Sequence, residues 1–137
     1  LRYGVLVDIA LKVTNGVPVD VRMGAVNVIW QRDAAAQVIQ ALAHAAIPPF
    51  VLNVTGPEVL SVRELALEFG RLLGREPVFI GTESPDALLS NTTRAQSIWG
   101  PPSMPASRLV SWVADWVLHG GVTLGRPTHF EQREGSF

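Results

Sequence analysis

Cysteine is absent from the 137 residues, and Lys12 is the sole lysine. The first absence excludes disulfide frameworks, thiolate nucleophiles and cysteine-bearing zinc sites, so a metal centre would need His and carboxylates alone. The second matters with the overall balance of 11 Lys+Arg against 12 Asp+Glu. No basic run offers a footprint for a phosphate backbone, which excludes nucleic acid as the expected partner. Long apolar runs are missing too: Asp8, Lys12, Asp20 and Arg22 interrupt the N-terminal stretch well short of the ~18 residues a membrane span needs. There is no secretory signal pattern, and the expected location is cytoplasmic. The sequence opens on Leu1 and not on Met, which reads as a portion of a longer chain.

Charge of either sign is scarce, at 17% of residues against the usual ~25%, while 47% are hydrophobic. An apolar surplus that cannot be a membrane span implies a face covered by another domain or subunit. The expected place for that face is the first helix, at Val5, Leu6 and Ile9, with the short strands beside it. Self-association of the chain follows as an expectation.

Strand and helix signals alternate along the chain, which gives an α/β class: a small mixed sheet of short strands with about five helices. Val5, Leu6, Ile9 and Val13 form a helical stripe closed by Asn15-Gly16. Val17, Val19, Val21 and Met23 alternate with polar residues as a half-buried strand, and residues 26–30 predict another. A helix is predicted over 34–46, with Asp33 as its N-cap and Ala35, Val38, Ile39, Leu42 and Ala46 on its core face. Residues 50–54 are apolar apart from Asn53 and predict a strand buried on both faces. Ser61-Val62-Arg63-Glu64 has the form of a capping box before a helix that Gly74 ends. A short strand at 77–80 and a turn-rich stretch at 81–89 follow, then a two-turn helix ending at Trp99-Gly100 and a last helix opened by Ser107 and stopped by Gly120-Gly121. This divides the chain into a body, 1–118, and an irregular tail, 119–137.

Chemistry-bearing motifs are few. No Gly-x-Gly-x-x-Gly follows a strand, no Gly-x-x-x-x-Gly-Lys occurs, and His44, His119 and His129 have no metal spacing. The expectation is therefore no catalytic residue, no cofactor-binding residue and no metal site in this chain. Two places could bind a ligand. Trp30 and Gln31 stand where a strand ends and a helix begins, the position at which ligands gather in open α/β sheets. Arg94 follows Ser90-Asn91-Thr92-Thr93 at a helix start, where hydroxyls, free N–H groups and a guanidinium could hold an anion.

These pieces, in this order, resemble the C-terminal substrate-binding part of extended short-chain dehydrogenase/reductases, the NAD-dependent epimerase/dehydratase family. Residues 26–36, with Asp33, look like the family's Val-x-Asp-Val-Ala turn. Phe50 to Gly56 looks like its Tyr-Asn-Val-Gly strand, and Leu60-Ser61-Val62-Arg63-Glu64-Leu65 with Leu72-Leu73-Gly74 like the helix that follows. Asn91-Thr92-Thr93-Arg94-Ala95 with Trp99-Gly100, and the helix of Trp112 and Trp116, are similar to its closing elements.

The resemblance implies an N-terminal Rossmann domain that holds NAD or NADP and carries a Tyr-x-x-x-Lys pair. Neither is in this sequence: Tyr3 is the only tyrosine, and Val7 stands where its lysine would fall. The chain accordingly resembles a substrate-binding fragment of a nucleotide-sugar epimerase/dehydratase-like enzyme, not competent alone, with Trp30, Gln31 and Arg94 facing a small-molecule substrate. The family's diphosphate-binding Arg would fall at Val26, leaving Arg22 or Arg94 to substitute. The alternative is a non-enzymatic interaction or scaffold module whose apolar face a partner covers.

Overall fold

The computed structural model describes residues 1–85, 87 and 89–133. Asp86 and Leu88 of the turn-rich stretch, and 134–137 of the tail, lie outside the described residues. The class is α/β as expected, with five helices and four strands of two residues each among the described residues.

The core is a helical one. α1 (Val5–Asn15), α3 (Val62–Leu73) and α5 (Ala106–Leu118) pack on one another. Phe69, Ile9, Val13 and Val62 are its largest fully buried side chains among them. The apolar stripe of α1 faces this core, with Leu6 and Ile9 buried. It is therefore not the uncovered face expected from composition. Helix α3 begins and ends as its sequence dictates. Ser61 Oγ accepts from the Glu64 N–H at 3.2 Å, and Gly74 takes the left-handed conformation that ends the helix.

The strands form two separate pairs. β1 (Val19–Asp20) runs parallel to β4 (Phe79–Ile80), with Val19 opposite Phe79. β2 (Ala25–Val26) runs antiparallel to β3 (Leu60–Ser61), with Val26 opposite Leu60. In the first pair, Asp20 is buried and its carboxylate accepts from Arg22 Nε at 2.9 Å and Nη2 at 2.6 Å. The Arg22 hydrogen bonds hold the Asp20 carboxyl below its usual range against the opposing effect of burial.

Helix α2 (Gln31–Ala41) departs from expectation twice. It starts three residues early, with Trp30 as N-cap, so Asp33 caps nothing. The Asp33 carboxylate is instead spent on a distant loop, accepting from Ser103 Oγ at 2.7 Å and from the Met104 N–H at 3.0 Å. The helix is also turned over. Its buried residues are Asp33 and Gln37, while Val38, Ile39 and Leu42 face outward and no α2 residue belongs to the core.

Residues 50–54 form no strand, and Val51 is exposed, which corrects the doubly buried strand expected there. A β-like composition fixes only the tendency to be extended; a strand also needs a neighbour with free backbone groups. α4 (Thr93–Trp99) is the two-turn helix foreseen, and its first N–H groups are met in part by Asn91 Oδ1, which accepts from Thr93 N at 3.0 Å.

Beyond α5 the chain crosses to α1. Leu124 N donates to Arg2 O at 2.9 Å, Thr128 N donates to Asp8 Oδ2 at 2.6 Å, and Lys12 pairs with Glu131. Phe130 packs at the edge of the core beneath the Lys12 ammonium. Residues 119–133 are thus irregular yet attached along one helix.

Candidate functional site

Residues 27–30 connect β2 to α2 and are fixed from three sides. Asn27 Nδ2 donates to Ser90 O at 2.8 Å. The backbone of Gly56 lies so close to Val28 that a Cβ there would stand 2.1 Å from the Val28 carbonyl oxygen, which only glycine permits. The Trp30 ring meets Trp112 of α5 edge to face, with centroids 5.6 Å apart, and Arg32 stands over it at 5.5 Å.

This bracing opens a cleft of about 300 Å³ beside Trp30 and Gln31. Leu6, Val7, Leu109 and Val113 supply its apolar floor, and Tyr3, Asn27, Gln31 and Thr55 its polar rim. Gly4 to Val7, the first turn of α1, form one wall. Helix starts leave backbone N–H groups without helical partners and carry partial positive charge. Apart from Tyr3, no lining side chain is ionisable. The arrangement can bind and orient a ligand by hydroxyl, amide and N–H contacts, but it holds no acid–base pair.

Arg94 stands elsewhere. It lines a second cleft of about 410 Å³ with Val51, Asn53, Asn91, Thr93 and Ser97. Its guanidinium donates to Val51 O at 3.2 Å and covers the Phe50 ring at 3.8 Å from the centroid. The structure therefore brings Trp30 and Gln31 together and leaves Arg94 apart from them. Tyr3, noted in the sequence only as the sole tyrosine, joins the site together with Asn27 and Thr55, which the sequence did not single out as ligand-binding residues. No spacing links residues 3, 27 and 55, so nothing in the sequence groups them.

The fit to a dinucleotide is poor. Such a group needs a glycine-rich turn leading from a strand into a helix N-terminus. Of the glycines at positive φ, Gly16, Gly74, Gly100 and Gly120 instead follow the ends of α1, α3, α4 and α5, where carbonyls point outward, and Gly81 follows β4 without leading directly into a helix. Gly4 is a single glycine before α1. Among the described residues no group of three or more His, Asp or Glu could hold a metal ion, and no helix is long and apolar enough to cross a membrane.

The helical core with its paired short strands is the fold of part of an epimerase. The UDP-glucose 4-epimerase of Thermus thermophilus, solved in complex with NAD, matches with a TM-score of 0.65 at 18% identity, over 89% of this chain and 43% of its own. A UDP-galactose 4-epimerase matches with a TM-score of 0.60 at 20% identity, over 88% of this chain and 41% of its own. The chain thus spans about two fifths of the solved proteins it matches, and at these identities the likeness is one of fold. No family model matches the sequence, and no curated protein does.

Proposed function

We propose that this chain is the substrate-binding portion of an NAD(P)-dependent nucleotide-sugar epimerase/dehydratase-like enzyme, with the cofactor and catalytic groups held by a Rossmann domain outside it. The observation that carries this reading is the cleft beside Trp30 and Gln31: an apolar floor, a hydroxyl and amide rim and a helix start, with Tyr3 its one ionisable side chain, on part of an epimerase fold. The hydroxyls and amides suit a sugar, and the first turn of α1 suits a phosphate. Arg94, in the second cleft, is assigned the anionic end of a substrate long enough to reach it.

Titration of the chain with UDP-glucose and, separately, NADH tests both halves, read by tryptophan fluorescence with inner-filter correction. UDP-glucose should quench Trp30 and NADH should not bind. Micromolar NADH binding by the chain alone would falsify the division of labour. In the longer enzyme, Arg94→Ala should raise KM with little change in kcat, and unaltered kinetics remove Arg94 from the site.

A second reading, a non-enzymatic interaction module, draws on the outward apolar stripe of α2. An upstream reading frame without a glycine-rich dinucleotide fingerprint would favour it.

A further inference from the structure

Most cations of this chain are engaged. Carboxylates pair with Lys12, Arg22, Arg63 and Arg71, and aromatic rings lie under Arg32 and Arg94. Four side chains, those of Arg2, Arg75, Arg108 and Arg126, have no hydrogen-bond, ion-pair or ring partner among the described residues. Two of the four share one cleft. Arg2 and Arg126 both border a cleft of about 330 Å³ between α1 and the segment that straps it after α5. They come there from opposite ends of the chain, because Leu124 N donates to Arg2 O at 2.9 Å and ties the two backbones together.

The other charges in this lining are already committed. Lys12 pairs with Glu131, and Asp8 Oδ2 accepts from Thr128 N at 2.6 Å and from Thr128 Oγ1 at 2.5 Å. The lining as a whole carries three cations against two anions. Tyr3 and Thr123 add hydroxyl donors to it, while Val7, Leu11 and Pro127 make part of its wall apolar. Two uncommitted guanidiniums in one cleft repel each other; an anion between them removes the repulsion and gains a charge-assisted hydrogen bond from each. The guanidinium fork matches the oxygens of a phosphate in particular.

We propose that this cleft binds a small phosphomonoester, with its phosphate clamped between Arg2 and Arg126 and its body against Val7, Leu11 and Pro127. The volume is that of a small-molecule site. It is a second site: Tyr3 and Val7 line both this cleft and the one beside Trp30, but neither arginine borders the other cleft. The proposal therefore holds whatever the cleft beside Trp30 binds. Arg2 precedes α1 and Arg126 lies in the strap, so a phosphate held by both fastens the strap to the helix. Ligand occupancy and strap closure are then linked.

Calorimetric titration of the 137-residue chain with phenyl phosphate tests the site, with phenol as the uncharged control. Phenyl phosphate should bind saturably, one per chain, and phenol should not bind. Arg2→Gln and Arg126→Gln should each weaken binding about tenfold or more, through loss of a charge-assisted hydrogen bond. Arg108→Gln, which removes an equally uncommitted arginine from α5, should leave it unchanged. At about ten times Kd, the Leu124 and Thr128 amides should exchange roughly tenfold more slowly, while those of α3 stay constant. Simultaneous binding of UDP-glucose and phenyl phosphate would support two separate sites. Absence of saturable binding, or strap amides indifferent to the ligand, overturns the proposal. So does binding that survives both Arg2→Gln and Arg126→Gln, or that Arg108→Gln weakens equally, since either means a diffuse attraction to charge. Displacement of phenyl phosphate by UDP-glucose overturns it as well, by placing the phosphate in the cleft beside Trp30.

Discussion

Replacing Asp33 by Ala should release α2 while leaving the core intact. The helix contributes no side chain to the hydrophobic core, and its described attachment runs through the Asp33 carboxylate to Ser103 and Met104. A hydrogen bond to an ionised group contributes about 1.5–3 kcal/mol, and a stranded buried N–H costs about 1–3 kcal/mol. Part of this is offset because the Ala variant no longer desolvates a charge at a site only 9% exposed. The expected net loss is about 2–4 kcal/mol, in the local opening of α2. By hydrogen exchange, about 2 kcal/mol corresponds to roughly 30-fold faster exchange of α2 amides, with α3 amides unchanged. Asp33→Asn discriminates: its amide oxygen can still accept from Met104 N while its NH2 donates to Ser103 Oγ, so about 1 kcal/mol is lost. If α2 amides in the Ala variant exchange as slowly as before, the claim that a polar contact anchors this helix is wrong.

Four further outcomes are expected. Phe69→Ala, at a fully buried position between the core helices, should cost about 3–5 kcal/mol in urea denaturation; a loss below about 1 kcal/mol would deny it a central place. Because Arg22 depresses the Asp20 carboxyl, the pair's contribution should be complete above the ordinary value of 3.8 and fade as pH falls through the lower folded value. Asp20→Asn should therefore lower the unfolding free energy near neutrality, by about 1 kcal/mol at most since Arg22 is largely exposed, and the difference should vanish in acid. Gly56→Ala should cost about 1–3 kcal/mol and weaken ligand binding, because the backbone shift it forces moves Val28 and Thr55 in the cleft wall; unchanged binding counts against that cleft. Asp8→Ala removes both hydrogen bonds from Thr128 and should speed chymotryptic cleavage after Phe130 severalfold; an unaltered rate would mean that the strap is held elsewhere.

Helix α3 was legible to the residue because every determinant of it is local: Ser61 and Glu64 at one end, Gly74 at the other, an apolar stripe between. Gly16 closing α1 was legible for the same reason. What escaped were the residues whose partners lie far along the chain. Asp33 is a sound N-cap by type, but Ser103 and the Met104 N–H offered it two bonds, and the helix began at Gln31 instead. Val38, Ile39 and Leu42 do share one face, yet a period cannot say which way a helix is turned. Of the candidate ligand-binding residues, Trp30 and Gln31 share a cleft because they are adjacent in sequence at an element boundary. Arg94 stood as a separate candidate because of the helix start and hydroxyls beside it, and the geometry that puts it against Phe50 and Val51 was not encoded in any spacing.

The strap from 124 to 131 over α1 has a temporal side. Asp8 and Thr128 are separated by 120 positions, and Lys12 and Glu131 by 119. At about 5–20 residues per second of synthesis, α1 waits roughly 6–24 s for the segment that covers it. During that interval α1 can meet α3 but not its strap, so its solvent side stands open on the ribosome. Closing a loop of this length is slow relative to local helix formation. The first helix of the chain is thus among the last to be finished.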